Sequence, residues 1–259
     1  MRFLVTNDDG IDSAFLHELV HALRAAGHTL AVVAPATEQS WIGAAKSRTR
    51  PVRSAPADRG LGCPTWVVDG TPSDCVNIAL AHLCQEDQVA GVISGINIGC
   101  NASLAFILGS GTVAGALEGA LHGLPAIAVS QDLTVAAYEH LKNCGGMPDA
   151  GLLASLRASA ARVAQLAPEL VAQTPPRAFT VHNLNCPFPC RPDTPVHRTV
   201  PARTILPRLF GPQAADGTHP FVFHFGENLS PAVPLTDRAA LDAGGISHTV
   251  LDYSRLGHA

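Results

Sequence analysis

Phe3-Leu4-Val5-Thr6-Asn7-Asp8-Asp9-Gly10 runs from an apolar stretch directly into two adjacent carboxylates and a glycine. A short buried strand over Phe3 to Thr6, ending in a polar turn, suits the opening strand of an α/β sheet. Neighbouring carboxylates repel, and each loses hydration on burial unless a cation or hydrogen-bond donors compensate. Asp8 and Asp9 are therefore either a solvated Asx-turn, with Asp9-Gly10 supplying the bend, or the edge of a site for a cation or proton.

Working outward, Phe15, Leu16, Leu19, Val20 and Leu23 recur with helical spacing from Ser13, and Gly27 stops that helix. His28 to Ala34 reads as a second strand, followed by a loop carrying Glu38, Gln39, Ser40 and Trp41. Thr71-Pro72-Ser73-Asp74 predicts a helix start, with Thr71 as N-cap and Asp74 reaching back to it, and the helix runs to about Cys84. Val89 to Ser94 is the next strand, with a glycine- and asparagine-bearing loop over Gly95 to Asn101. Gly109-Ser110-Gly111-Thr112 opens a helix through about Leu121, and Ala126 to Ser130 is a further strand. A helix over Ala150 to about Ala172 and a strand over Phe179 to Asn185 follow.

Strands alternating with helices predict an α/β fold with a mainly parallel sheet covered on both faces. Ligands then gather at the carboxyl ends of the strands, where all these polar loops fall. Residues 1–186 are expected to form the catalytic core. Residues 187–259 form a proline-rich C-terminal arm or hairpin excursion and terminal segment, with Phe221 to Phe225 as one of its strands. This segment is expected to belong to the same domain.

The 259 residues are 47% hydrophobic, enough for a sizeable core. A net charge of -4 supplies no general reason to bind a nucleic-acid polymer or an anionic membrane, so a small ligand is the better expectation. Seven cysteines without a CxxC pair do not resemble a disulfide framework and suit a reducing cytoplasm. The opening residues are too short and wrongly flanked for a signal peptide. The apolar stretch from Leu104 to Ser130 is interrupted by Glu118, His122 and glycines, which argues against a membrane span.

The Gly109-Ser110-Gly111-Thr112 turn lets backbone N–H groups and a helix N-terminus face an anion, or it is a plain N-cap by Ser110 or Thr112. No lysine follows the glycines, so it is not a P-loop, and it is not a GxGxxG after the first strand. Asn97 is a turn former whose amide oxygen is also a hard ligand, and Ser40 alone reads as a loop serine. Together Asp8, Asp9, Ser40 and Asn97 would make an all-oxygen set suited to Mg²⁺ or Mn²⁺ rather than zinc. The twelve histidines form no HExxH, and His182, His224 and His248 fall in strand-like surroundings. No GxSxG elbow supports a serine triad.

Several separated blocks resemble the SurE-type survival proteins, a family of metal-dependent 5'/3'-nucleotidases. They are Asn7-Asp8-Asp9-Gly10, Val33-Ala34-Pro35 leading to Ser40, Gly70 to Val76, Ser94-Gly95-Ile96-Asn97, and Ser110-Gly111-Thr112-Val113 with Glu118-Gly119. The resemblance implies a Rossmann-like core, usually in a homodimer or dimer of dimers with an exchanged arm. It also implies one divalent ion per subunit on Asp8, Asp9, Ser40 and Asn97. Asn97, Ser110, Gly111 and Thr112 would hold the substrate phosphate. Such a metal would polarise phosphoryl oxygens and lower the pKa of a bound water, which Asp9 rather than Asp8 would orient or deprotonate.

Three departures from the family pattern bear on the substrate. Ala105 to Gly109 replaces the acidic and Tyr or His residues common before the Ser-Gly-Thr turn. Gln39 replaces a basic residue before Ser40, with bulky Trp41 after it, and the proline-rich Pro187 to Pro234 replaces a basic and aromatic segment. The expected activity is hydrolysis of nucleoside 5'- or 3'-monophosphates. The rivals are a phosphatase of another small phosphorylated metabolite and a non-catalytic nucleotide- or phosphate-binding module.

Overall fold

Side-chain alternation along the first strand divides the core in two. Phe3 and Val5 face one hydrophobic cluster and Leu4 faces the other, all of them fully buried. The computed structural model describes residues 1–84, 89–222 and 226–257. Its elements begin with β1 (Arg2–Thr6), α1 (Ala14–Ala25), β2 (Thr29–Pro35), β3 (Ser54–Pro56), β4 (Thr65–Val68) and α2 (Pro72–Ile78). They continue with β5 (Gly91–Ile98), α3 (Leu104–Gly109), α4 (Gly111–Leu121), β6 (Ala126–Gln131), α5 (Val135–Asn143) and α6 (Ala150–Gln173). The last are β7 (Thr180–Cys186), β8 (Val196–Thr199), α7 (Asp237–Asp242) and β9 (Ile246–Asp252).

The nine strands lie in the order β3-β4-β2-β1-β5-β6-β7-β9-β8. The six from β4 to β7 are mutually parallel, whereas β3 and the β9-β8 pair run against them. The result is a Rossmann-like α/β sheet, as expected. The chain winds outward from β1 through β2 and β4, then returns to β5 on the other side of β1. Loops leaving β1 and β5 diverge at that reversal, which in sheets of this kind is where the ligand crevice lies, at the carboxyl ends of the strands.

Apolar residues of α1 and α6 cover one face, including Phe15, Leu16, Leu19, Leu156 and Val163. Cys75 and Val76 of α2 cover part of the other, and Val113, Ala116 and Ala120 of α4 cover the rest. Each fully buried leucine or phenylalanine in such a core contributes roughly 1.5–3 kcal/mol relative to exposure. The Thr71 cap forms as expected. Its hydroxyl accepts from Asp74 N at 3.1 Å, and Asp74 Oδ2 accepts from Thr71 N at 2.9 Å. The same carboxylate accepts from Ser47 N, so the cap also fastens the loop after β2.

Several features differ from the sequence reading, including the unpredicted strands β3 and β4. β5 does not end at Ser94 but continues to Ile98 through an irregularity between Ser94 and Asn97. There Gly95 takes a φ of +138°, so part of the predicted glycine-asparagine loop is strand. Ala105 to Gly109 is helical in α3, and α5 was not anticipated. The chain after Asn185 returns to the sheet as β8 and β9, and between them residues 200–236 make the excursion. In the excursion Thr204 bridges Asn228 and Phe210 bridges Phe221, both antiparallel. Phe223, His224 and Phe225 of the predicted Phe221 to Phe225 strand lie outside the described residues.

At the β7-β9 pairing His182 Nδ1 lies 2.9 Å from His248 Nε2, and Thr174 Oγ1 lies 2.7 Å from His182 Nε2. Burial, reinforced by Arg198, pushes both imidazoles down to about 4. Protons therefore bind the unfolded chain first. The pair's stability is fully present above pH 6.5 and is lost as pH falls toward about 4. The expected loss is on the order of 2 kcal/mol after allowing for residual solvent contact. Urea unfolding across that window should show the slope, and His248→Gln should flatten it; an unchanged slope in the variant would assign the effect elsewhere.

Candidate active site

β1 delivers Asp8 and Asp9 to the crevice, and Asn7 shapes the turn by donating from Nδ2 to Gly10 O at 2.9 Å. Asp8 is 3% exposed, and its Oδ1 accepts from Thr112 Oγ1 at 2.5 Å. Burial raises Asp8 to about 6 even though the Thr112 hydroxyl works in the opposite direction. Asp9 Oδ2 accepts from Ile98 N at 3.0 Å. Its carboxyl is held well above the usual carboxylate range, first by burial and then by the charge of Asp8. Neither acid has an ion-pair partner among the described residues.

The other predicted residues arrive from the loop after β2, the end of β5 and the start of α4. Gln39 N donates to Asp8 O at 2.7 Å, which fastens the loop after β2 and sets exposed Ser40 beside the acidic turn. Asn97, 8% exposed, donates from Nδ2 to Gly99 O at 2.6 Å and so keeps its amide oxygen as an acceptor for another partner. Ser110 caps α4, its hydroxyl accepting from Val113 N at 3.0 Å. Gly111 is required by proximity: a Cβ there would lie 2.8 Å from Asp8 Cβ and 2.9 Å from Gln39 O. The start of α4 thus sits directly on the carboxylate turn, and the Thr112 hydroxyl holds Asp8.

These residues suit a hard divalent cation. Among the described residues no group of three His, Cys, Asp or Glu side chains could hold a metal, so zinc-type ligation has no candidate. Buried Asp8 and partly buried Asp9, without a countercharge among the described residues, would offer with the neutral oxygens of Ser40 and Asn97 the donor set that Mg²⁺ or Mn²⁺ prefers.

Several supporting contacts escaped the sequence reading. Asp237, fully buried, accepts from Ser103 N, Ala202 N and Arg238 N, each at 2.8 Å, and so joins the start of α3 to the root of the excursion. Asn101 donates from Nδ2 to Ser130 Oγ at 2.9 Å, and its backbone N–H donates to Asn185 Oδ1 at 2.7 Å. Glu118 is buried but satisfied, pairing with Lys46 at 2.6 Å and accepting from Asn77 at 2.9 Å. Trp41 lies 5.6 Å from Phe106 and 5.5 Å from Phe221, ring centre to ring centre. These contacts join three segments whose proximity no local sequence pattern signals.

The profile of the family described as "Survival protein SurE" matches residues 3–205, most of the chain. The chain belongs to the SurE family. A 5'-nucleotidase SurE of Solidesulfovibrio magneticus is 48% identical over 136 residues, 51% of each chain. The chain spans about half the length of that relative and of several others like it. A 5'-nucleotidase SurE of Methanocella arvoryzae is 33% identical over 204 residues, covering 79% of this chain and 73% of the relative. The crystal structure of the SurE protein from Aquifex aeolicus superposes with a TM-score of 0.75 at 27% identity, covering 97% of this chain and 93% of the other. The SurE profile spans every residue of the candidate site, while the likeness to the Aquifex SurE fold extends through the β8-β9 end of the sheet.

Proposed function

We propose that the protein is a divalent-metal-dependent phosphomonoesterase that hydrolyses nucleoside 5'- or 3'-monophosphates to nucleoside and phosphate. The observation that carries this reading is the direct junction of the Asp8-Asp9 turn with the N-terminus of α4, made by the Asp8–Thr112 hydrogen bond and the close approach at Gly111. A carboxylate pair for a cation and a helix N-terminus for an anion then share one crevice.

Asp8, Asp9, Ser40 and Asn97 would hold the metal, which when bound supplies positive charge against the phosphoryl oxygens. The backbone N–H groups at Ser110, Gly111 and Thr112, with the Asn97 amide, would orient the phosphate and stabilise the charge that develops in line. Thr112 keeps Asp8 in place, and the Ile98 amide does the same for Asp9. Asp9, its Oδ2 fixed by the Ile98 amide, would orient the attacking water and take its proton.

The reading includes a homodimer or dimer of dimers, for which exposed Ile205, Leu229 and Val233 supply apolar surface on the excursion. It also includes a cytoplasmic location, supported by seven free cysteines. Among the described residues no helix is long and apolar enough to cross a membrane.

The test is phosphate release from a panel of nucleoside monophosphates and sugar phosphates, with Mg²⁺, with Mn²⁺ and with chelator, alongside the particle mass in solution. Turnover should require added metal and favour nucleotides. Chelator-resistant turnover would overturn the mechanism, and tight phosphate binding without hydrolysis under either metal would favour a binding module. A monomer mass would remove the dimer from the reading.

A further inference from the structure

Four of the chain's thirteen Phe, Trp and Tyr side chains gather at one edge of the crevice, where composition alone would scatter them. Trp41 sits between Phe106 and Phe221, tilted 54° and 56° to them, and Phe210 meets Phe221 edge-on at 5.7 Å. The rings come from the loop after β2, from α3 and from the excursion.

Their place relative to the phosphate-binding turn is set by the backbone. Trp41 directly follows Ser40. A Cβ on Gly109, the residue before Ser110, would lie 3.2 Å from the Trp41 ring. Gly43 N donates to Gly109 O at 3.0 Å, pinning the two loops together. Trp41 also holds a φ of +60°, a conformation that a bulky residue adopts at a cost, and it remains 39% exposed, with Phe221 48% exposed. Apolar ring surface left partly wet beside a polar crevice suits a ligand that covers it.

We infer that Trp41, Phe106 and Phe221 form a stacking wall that takes the nucleobase of the substrate while the Ser110-Gly111-Thr112 turn takes its phosphate. This rests on the phosphomonoesterase reading and adds the feature that selects a nucleoside ester by its planar base. Tilted aromatic faces receive a flat ring by offset stacking and edge contact and are tolerant of base identity. Preference should therefore fall between nucleotides and sugar phosphates rather than between one base and another.

Two measurements test the wall, one of them independent of turnover. In a Trp66→Phe background, where Trp41 is the remaining tryptophan, adenosine should quench the emission saturably and inorganic phosphate should not. Absence of saturable quenching overturns the inference. In steady state, Trp41→Gly suits the positive φ and removes the ring. It should raise KM for adenosine 5'-monophosphate about tenfold or more, with a smaller effect on kcat, and cut the preference over ribose 5-phosphate correspondingly. An unchanged preference also overturns it. If the wild-type protein hydrolyses none of these esters, the phosphomonoesterase reading fails, and the adenosine titration still decides the wall.

Discussion

Asp9→Asn should lower kcat/KM for phosphate release by about 10³-fold or more, equivalent to roughly 4 kcal/mol of transition-state stabilisation. Asparagine has nearly the same size, and its carbonyl oxygen can still accept the Ile98 N–H that Asp9 accepts at 3.0 Å, so the turn should persist. What disappears is a negative charge and a proton acceptor. The metal-free protein should respond in the opposite direction, because partly buried Asp9 lies beside the charge of Asp8. Neutralising it relieves a repulsion, so the variant's thermal midpoint without metal should equal or exceed that of the parent, a stability–activity trade-off. A variant that loses activity and stability together would show that Asp9 is structural, and one that retains activity would remove it from the mechanism.

Gly95→Ala should be among the most destabilising single methyl additions in the molecule. A Cβ at this position would lie 2.3 Å from Val129 O and 3.1 Å from Val129 C, both backbone atoms of the neighbouring strand β6. The φ of +138° adds backbone strain for any residue with a side chain. A flexible side chain could swing away from such an overlap, but a hydrogen-bonded strand in mid-sheet cannot. The expected loss is about 3–5 kcal/mol, read as a lower urea midpoint and lower soluble yield. Activity should fall as well, since displacing β5 here moves Asn97 and the Ile98 amide that orients Asp9. An unaltered midpoint would mean that the irregularity in β5 relaxes more easily than its packing implies.

The elements legible in the sequence are those whose pattern is long or carries a chemical terminator. β1 is a buried run ending in charge, α1 has five regularly spaced apolar residues and a glycine stop, and α2 has a reciprocal cap. β3 and β4 were not legible, because three exposed residues and a four-residue half-buried strand have too little period to read. The end of β5 was misplaced because glycine and asparagine signal a turn, yet here the glycine admits β6 at close range. For the candidate site, residue types grouped Asp8 and Asp9 with Ser40 and Asn97, and the SurE resemblance added the Ser110-Gly111-Thr112 turn; in the structure Asp8 meets Thr112 and Gly111 of that turn. The Asp237 anchor and the Trp41 cluster each join segments far apart in the chain, and no local periodicity encodes such contacts.

The placement of β9 sets an order of events during synthesis. Chains emerge from the ribosome N-terminus first. β8 is therefore made well before β9, yet β9 lies between β7 and β8 and supplies the ladder on which β8 is seated. Until residues 246–252 arrive, β7 presents an open edge, and the excursion is tethered to a strand that has not yet found its partner. The parallel half carrying Asp8, Asp9 and Asn97 can assemble early, whereas the far side of the sheet closes only once residues 246–252 have been made.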